Sequence, residues 1–265
     1  MTDPVLAADG RTVVLAADHR ARGIVTMERY ADYVAALRAA LPMCDAVMAS
    51  AQPLGDLVRD GVAPGQATLL SLNRTGLAGT AFELDDRLVA TVAGAAASGY
   101  TGVKVMTRVD RTDARGAEQL EMLGHVIEQA RAATLSCLVE PLTWTDGVMD
   151  RTVDGIIWSA VIAHDMGAPL LKVPVPGVAA GAERVEAVQR VVESVGVPVL
   201  FLGGPRVRDR DDVLAEVADV MAGGAAGMAI GRAVYQDPDP AQMAKDIASL
   251  VHAGMTDTLR PENAG

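Results

Sequence analysis

The sequence predicts a single (β/α)8 TIM barrel, in which eight strands alternate with helices and close into a cylinder. Eight short apolar runs recur at the spacing of a βα unit, and amphipathic stretches lie between them. The runs are rich in Val, Leu, Ile, Ala and Met, which is typical of parallel strands buried on both faces. Eight such units in 265 residues suit this barrel better than an open sheet. A doubly wound sheet is the alternative, but the turn Asp18-His19-Arg20 lacks its glycine-rich fingerprint.

Each apolar run is short, and we interpret each as one barrel strand. The predicted strands are Thr12–Asp18, Asp45–Ser50, Thr68–Asn73, Gly102–Arg108, Leu135–Leu142, Leu170–Val175, Pro198–Gly203 and Gly227–Gly231.

The stretches between the strands have helical periodicity, and several carry Asp near the start or Gly just past the end, as helix caps do. The predicted helices are Met27–Ala40, Glu83–Ser98, Asp113–Ala133, Val148–Met166, Ala182–Val195, Asp209–Met221 and a last helix after Asp237–Pro240. No low-complexity linker divides the chain, so we expect one domain over residues 1–265 with a loose tail from about residue 254.

Composition narrows the function classes. Half of the residues are hydrophobic, which is ample for a large core, and the net charge is -11. This acidic balance argues against nucleic acid and acidic membranes as partners, although a local arginine cluster could still hold an anionic metabolite. No long uncharged apolar run or basic leader is present, so we expect a cytoplasmic protein. Cys44 and Cys137 lie near or inside apolar runs and are interpreted as reduced core residues.

The sixth predicted strand carries one charged residue, Lys172, in the apolar run Pro169–Gly177. Because a strand has a period of two, Lys172 shares a face with Leu170 and Pro174. Burial removes hydration from an ammonium group and lowers its pKa, which leaves more of the free amine that attacks a carbonyl. A lysine whose ammonium reaches solvent at the strand end is the alternative interpretation of this strand alone.

Three other strands also carry an ionisable residue near the carboxyl end, where the sites of this fold lie. These residues are Asp18, Lys104 and Glu140 on the first, fourth and fifth strands. If all three point inward with Lys172, two cations and two anions meet at the barrel mouth, which favours a site over isolated core ions. Either lysine could be the nucleophile on periodicity alone, but Lys172 has the more apolar neighbours.

This set of charges supports amine catalysis through a Schiff base. Glu140 is suited to move protons at the substrate hydroxyl or at the carbinolamine, and a second cation nearby, Lys104, would lower the pKa of Lys172 further. Asp18 could orient Lys104 or bind a substrate hydroxyl. Only His19 of the four histidines lies at a strand end, so no metal or other cofactor is expected.

The loops after the last two strands predict a phosphate site. Barrels commonly bind phosphate there through the backbone N–H groups of glycines, and the candidates are Gly203, Gly204, Gly231 and Arg232. Ordinary tight turns are the alternative. Other arginines on the same presumed face could attract an anionic substrate, and these are Arg20, Arg22, Arg74, Arg108 and Arg206.

The chain resembles the class I aldolases of the DeoC/LacD-type barrel family, nearest to the branch with tagatose-bisphosphate and sulfofructose-phosphate aldolases. The resemblance rests on LAADHRARG, GVKVM, LVEPL, LLKVPVP, LGG and IGRAVYQ, which occur in the family's order. It implies Lys172 as the Schiff-base lysine, Glu140 as the proton-transfer residue, and Lys104 and Asp18 as supporting charges. Asp18-His19 is nearer to the archaeal-type fructose-bisphosphate aldolases, which use a tyrosine for proton transfer, whereas the fifth strand here offers Glu140 instead.

The sequence therefore predicts a metal-independent aldolase that cleaves a phosphorylated ketose to dihydroxyacetone phosphate and an aldehyde. Tagatose or fructose bisphosphate, sulfofructose phosphate and a deoxy-keto acid phosphate all remain open as substrates. Acidic barrels of this kind often assemble, so a homo-oligomer is expected. The alternatives are a thiolase-like or other Schiff-base transferase and a non-catalytic regulator that binds sugar phosphate.

Overall fold

The computed structural model describes residues 3–61, 65–73, 76–203 and 209–253. Its strands are β1 (Thr12–Ala17), β2 (Ala46–Ala49), β3 (Ala67–Ser71), β4 (Gly102–Asp110), β5 (Ser136–Thr145), β6 (Val148–Met149), β7 (Leu170–Pro174), β8 (Val199–Leu202) and β9 (Gly227–Ile230). The α-helices are α1 (Tyr30–Ala40), α2 (Ala51–Arg59), α3 (Val92–Ala97), α4 (Gly116–Ala132), α5 (Val153–Asp165), α6 (Ala182–Glu193), α7 (Arg210–Ala222), α8 (Arg232–Tyr235) and α9 (Pro240–Val251).

Eight parallel strands close into a barrel, as the sequence predicts. The strand order is β4-β3-β2-β1-β9-β8-β7-β5, and pairing of β4 with β5 joins the two ends. Among the strands of the described residues, only β6 is antiparallel, because it folds back on β5 as a hairpin arm. The alternative open sheet is wrong, since an open sheet would leave β4 and β5 as unpaired edges.

The strands alternate between two cores. Residues that face outward, such as Val139 and Val173, pack with the helices in the larger apolar cluster. Residues that face inward, such as Leu138, Leu170 and Leu200, form a second apolar cluster inside the barrel. Each of these leucines is completely buried, which contributes about 1.5–3 kcal/mol per side chain.

The amino end of the barrel is closed by the segment before β1. Val5 is buried and belongs to the inner apolar cluster. Asp3 accepts hydrogen bonds from the Ser136 hydroxyl at 2.7 and 2.9 Å, which ties this segment to the start of β5. This end of the barrel is therefore filled and closed by packing, and the opposite end is left for a site.

The predicted helix Glu83–Ser98 is mostly wrong, because only Val92–Ala97 is helical. The carboxylates in the earlier part bind arginines instead of facing solvent. Asp86 accepts a hydrogen bond from Arg108 Nε at 2.6 Å, and Glu83 accepts one from Arg22 Nη2 at 2.8 Å. These long-range bonds hold residues 83–91 as a loop over the barrel mouth.

The predicted helix Val148–Met166 begins too early. Positive φ angles at Asp146 (50°) and Gly147 (76°) form a tight turn, and Val148 and Met149 then pair with the end of β5. The helix starts at Val153, after the Thr152 hydroxyl accepts a hydrogen bond from the Gly155 N–H. The hairpin matters for the site because it forms one wall of the barrel mouth.

Helices α2 and α8 were not predicted, whereas the other predicted helices differ from the structure mainly at their ends. Cys44 and Cys137 are buried free thiols, as expected, and burial raises the pKa of each to about 12. Within the described ranges, no helix combines the length and apolar character needed to cross a membrane. The tail predicted from about residue 254 lies outside the described residues.

Candidate active site

Four charged side chains meet inside the carboxyl end of the barrel. Lys104 Nζ lies 3.2 Å from Asp18 Oδ2 and also contacts Glu140 Oε2, and Lys172 Nζ lies 3.1 Å from the same Glu140 oxygen. The four sequence-predicted residues thus form one chain of alternating charge, Asp18–Lys104–Glu140–Lys172. Two cations and two anions make the cluster formally neutral, which compensates charges that would be costly to bury singly.

Strand alternation explains why these side chains meet. Leu138 and Glu140 are two residues apart on β5, as are Leu170 and Lys172 on β7, so each pair shares the inward face. Leu138 lies opposite Leu170 in the strand register, which brings Glu140 and Lys172 to the next level of the barrel. The charged layer therefore lies directly above the apolar inner cluster.

The two lysines differ in whether their side chains line the cavity at the barrel mouth. Lys172 and Glu140 line a cavity of about 330 Å³ at the barrel mouth, whereas Lys104 is not among the residues described as lining it. Lys104 is completely buried between Asp18 and Glu140. A molecule in the cavity can therefore contact Lys172, whereas Lys104 lies beneath the cavity and contacts Glu140.

Asp18 is held beneath the cavity by several groups. The Ser71 hydroxyl donates to Asp18 Oδ2 at 2.9 Å, and His19 Nδ1 lies 3.7 Å from Asp18 Oδ1. His19 lines the cavity, although its position at a strand end did not by itself predict a binding role. Burial and the nearby charges of Lys172 and Arg232 lower the pKa of His19 to about 3. Its imidazole is therefore neutral at physiological pH and can donate or accept a hydrogen bond.

The predicted phosphate residues Gly203, Gly231 and Arg232 line another part of this cavity, while Gly204 lies outside the described residues. Gly231 is required by close packing, since a Cβ there would lie 1.9 Å from the Ala16 carbonyl oxygen. Burial lowers the pKa of Arg232. Within the described ranges, no carboxylate forms an ion pair with Arg232, so this guanidinium is placed to meet an anion.

The cavity is also lined by residues that were not predicted from the sequence. They are Glu83, Trp144, Met149 and Arg151, together with the apolar side chains Ile24, Met106, Leu142 and Pro174. Glu83 comes from the loop before α3, and Trp144 and Met149 come from the β5–β6 hairpin. The dipeptide Asp146-Gly147 between apolar residues is the sequence signal that could have indicated this hairpin.

The other arginines named from sequence divide into three groups. Arg22 lines the cavity while bonded to Glu83. Arg20 lies over the Tyr33 ring at 5.1 Å, and Arg108 is buried against Asp86, so both support the structure around the mouth. Arg74 and Arg206 lie outside the described residues. In the part of the chain that is described, no cluster of three His, Cys, Asp or Glu side chains is arranged to hold a metal ion.

Comparisons with known proteins agree with this architecture. A family model described as Cgl0159-like matches residues 10–249. The crystal structure of Cgl0159 from Corynebacterium glutamicum superposes with a TM-score of 0.81 at 30% identity, covering 95% of this chain and 88% of that one. A Schiff-base-forming fructose-1,6-bisphosphate aldolase superposes with a TM-score of 0.76 at 24% identity, covering 94% and 97% of the two chains, and supports the fold.

A curated relative also matches along most of its length. The chain is 29% identical over 257 residues to 2-amino-3,7-dideoxy-D-threo-hept-6-ulosonate synthase 1 of Archaeoglobus fulgidus. This match covers 93% of this chain and 88% of the relative.

Proposed function

The chain belongs to the Cgl0159-like family, and from this relationship and the site geometry we propose that it is a class I aldolase. The single observation that carries the proposal is the pair of Lys172 and Glu140, 3.1 Å apart at the floor of a cavity and backed by a second buried lysine. A lysine amine beside a proton-transfer group is the arrangement that Schiff-base formation needs. The relative and the solved aldolase named above support the same chemistry.

The proposed reaction starts at Lys172. Lys172 first gives one proton to the Glu140 carboxylate that contacts it, and its neutral amine then adds to the ketose carbonyl carbon. A proton passes from the nitrogen to the new alkoxide to give a carbinolamine. Protonated Glu140 then gives its proton to the carbinolamine hydroxyl, which leaves as water, so that a protonated imine and the Glu140 carboxylate remain. The bond between the third and fourth carbons then breaks, its electrons enter the imine to form an enamine, and the proton of the fourth-carbon hydroxyl passes to the Glu140 carboxylate, which later returns it to the enamine carbon. The aldehyde leaves, the enamine is protonated at carbon, and water releases dihydroxyacetone phosphate and Lys172.

The remaining charges keep this proton transfer in position. Glu140 contacts both lysines, so it can exchange a proton with Lys172 while Lys104 balances its negative charge. Asp18 holds Lys104 at 3.2 Å and so fixes the second cation. Neutral His19 is placed to hydrogen-bond a substrate hydroxyl. In this proposal only Lys172 forms a covalent bond with substrate.

The phosphate of the substrate is proposed to bind at Gly203, Gly204, Gly231 and Arg232. Replacing Arg232 by Ala should weaken binding of phosphorylated substrates by about 1–3 kcal/mol, the range for a charge-assisted hydrogen bond. Inhibition by inorganic phosphate, measured in both proteins, reports the change. An equal loss for unphosphorylated and phosphorylated substrates would make Arg232 a structural residue.

The ketose itself is the open part of the proposal. Fructose and tagatose bisphosphate, sulfofructose phosphate and a deoxy-keto acid phosphate all carry the required carbonyl and phosphate. The relative named as an ulosonate synthase handles a carboxylate-bearing product, which favours the keto acid within this set. The finer resemblance to tagatose-bisphosphate and sulfofructose-phosphate aldolases remains a proposal of the same kind.

The experiment is a panel of ketose phosphates in an assay coupled to triose phosphate. We expect cleavage of at least one substrate, and full activity after dialysis against EDTA because the lysine replaces a metal. Loss on chelation that zinc restores would contradict the mechanism. Binding without turnover would favour a regulator, and turnover without triose phosphate would favour a Schiff-base transferase.

We further propose that the protein works in the cytoplasm as one barrel domain and assembles as a homo-oligomer. These points rest on its acidic composition and on the absence of an internal linker in the sequence. Its partner in the reaction is a small sugar phosphate, without a cofactor, nucleic acid or membrane.

A further inference from the structure

Arg151 lines the cavity, and the proposed reaction gives it no role. It follows β6, and its Nε and Nη2 atoms donate to the Val175 carbonyl oxygen at 3.2 and 2.8 Å. Both bonds use one edge of the guanidinium, so they fix its plane just beyond the strand that carries Lys172. The remaining N–H groups include one on each terminal nitrogen, Nη1 and Nη2, which point the same way and can bind two oxygens in parallel.

The charge of Arg151 is not balanced by its described neighbours. Its hydrogen bonds go to a backbone carbonyl, and no carboxylate of the described residues forms an ion pair with it. Arg22 lines the same cavity but is neutralised by Glu83 at 2.8 Å. The cavity therefore contains two guanidinium groups without a described carboxylate partner, Arg151 and Arg232.

These two guanidinium groups lie on different sides of Lys172. Around the barrel the strand order is β5, β7, β8 and β9, with Lys172 on β7. Arg232 and the glycines follow β8 and β9, whereas Arg151 comes from the hairpin that extends β5. A ketose bonded to Lys172 with its phosphate over β8 and β9 therefore extends its other end toward Arg151.

Resting on the proposed aldolase function, we propose that Arg151 binds a carboxylate on the aldehyde half of the substrate. The substrate is then a keto acid phosphate, with one anionic group at each end of the cavity. The end-on edge of a guanidinium matches the two oxygens of a carboxylate.

A second phosphate fits this end of the cavity less well. No glycine from the β5–β6 hairpin is among the described lining residues, and Leu142 and Met149 make this part of the wall apolar.

The test runs the reaction in the direction of condensation. Dihydroxyacetone phosphate is combined with 3-oxopropanoate or 4-oxobutanoate, with the uncharged aldehydes propanal and butanal, and with glyceraldehyde 3-phosphate. The native enzyme should give its highest kcat/KM with an oxo acid. In Arg151→Gln, kcat/KM for that oxo acid should fall by about 10–100-fold, the loss expected for one charge-assisted contact, while the uncharged aldehydes stay within about threefold. Arg151→Lys should recover part of the loss.

Arg111→Gln provides the matched control. Arg111 lies beside the same hairpin, where its N–H bonds the Trp144 carbonyl at 3.4 Å, but its guanidinium stacks on the Trp158 ring and is not among the described residues that line the cavity. This substitution removes the same charge and should leave the oxo acid preference unchanged. An equal effect of both substitutions would show a general electrostatic effect and would overturn the assignment.

Labelling separates failure of this proposal from failure of the aldolase proposal. Borohydride with dihydroxyacetone phosphate alone should label Lys172 equally in the native protein and in Arg151→Gln, which also shows that the variant is folded. Normal labelling with a preference for glyceraldehyde 3-phosphate, or with equal losses for oxo acids and uncharged aldehydes, would overturn the role of Arg151. Absence of labelling in the native protein would instead defeat the aldolase proposal, and this proposal with it.

Discussion

The two levels of the barrel interior differ completely in chemistry although the same strands build them. On β5 and β7 the lower inward residues are Leu138 and Leu170, and two positions later they are Glu140 and Lys172. Burial of the leucines stabilises the fold, whereas buried ion pairs contribute little net stability because desolvation offsets their attraction. The contrast teaches that stability and chemistry are separated along the barrel axis by one step of strand alternation.

The largest effect is expected from a substitution in the upper, charged level of the barrel interior. Glu140→Gln keeps the shape of the side chain but removes the proton acceptor, so turnover should fall by about 10²–10⁴-fold, the usual contribution of general acid–base catalysis. The substitution also leaves two buried lysines with one carboxylate, so the unfolding free energy should fall as well, and turnover is therefore compared per folded molecule. Steady-state kinetics and urea denaturation of the same preparation give both values, and a variant that keeps native turnover would remove Glu140 from the mechanism.

The matched substitution changes the lower, apolar level on the same strand. Leu138→Ala should lower the unfolding free energy by about 2–5 kcal/mol, because it leaves a cavity in a completely buried cluster. Turnover per folded molecule should stay within a few-fold of the native value. If Leu138→Ala abolished turnover in fully folded protein, the two levels would not be separable in the way proposed.

A smaller effect is expected from the opposite pKa shifts of two histidines at opposite ends of the barrel. Burial and the cations Lys172 and Arg232 lower the pKa of His19 to about 3. Burial opposes the charged form of His252, but the carboxylates of Asp9 and Asp45, at 2.7 and 3.1 Å, outweigh it and raise its pKa. In an NMR titration, His252 should therefore titrate above 6.5 and His19 only near 3.

The two shifts act on stability in opposite directions. As pH falls from 6.5 toward 3, the unfolded chain binds a proton that folded His19 does not, so this residue lowers the unfolding free energy by up to about 1.4 kcal/mol per pH unit. His252 contributes stability that is complete below 6.5 and is lost as pH rises through its raised pKa. His19→Gln and His252→Gln should each remove its own dependence, and two histidines titrating together near 6.5 would refute the contrast.

The local sequence pattern was enough to predict the barrel and the strand positions that carry its buried charges. A two-residue period places Glu140 above Leu138 and Lys172 above Leu170 without any knowledge of their partners. The same reasoning located Asp18 and Lys104, because each interrupts an otherwise apolar strand. The face of a strand on which a residue lies is therefore the feature of a site that the sequence predicts most directly.

The walls of the site could not be predicted in this way, because distant partners decide them. Glu83 and Asp86 have helical surroundings in sequence, yet Arg22 and Arg108 hold them in a loop. Arg151 reaches the cavity only because the turn at Asp146 and Gly147 folds the chain back on β5. Long-range ion pairs and one tight turn outweighed local helix propensity in both places.

The central claim is that Lys172, and not Lys104, is the covalent nucleophile, because only Lys172 lines the cavity while Lys104 stays buried between Asp18 and Glu140. The direct measurement is borohydride reduction with dihydroxyacetone phosphate, followed by peptide mapping. We predict one label on Lys172, no label and no turnover in Lys172→Ala, and slow labelling of Lys172 in Lys104→Met. A label on Lys104 would contradict the assignment, and a native enzyme that cleaves ketose phosphates while taking no label on either lysine would contradict the Schiff-base mechanism itself.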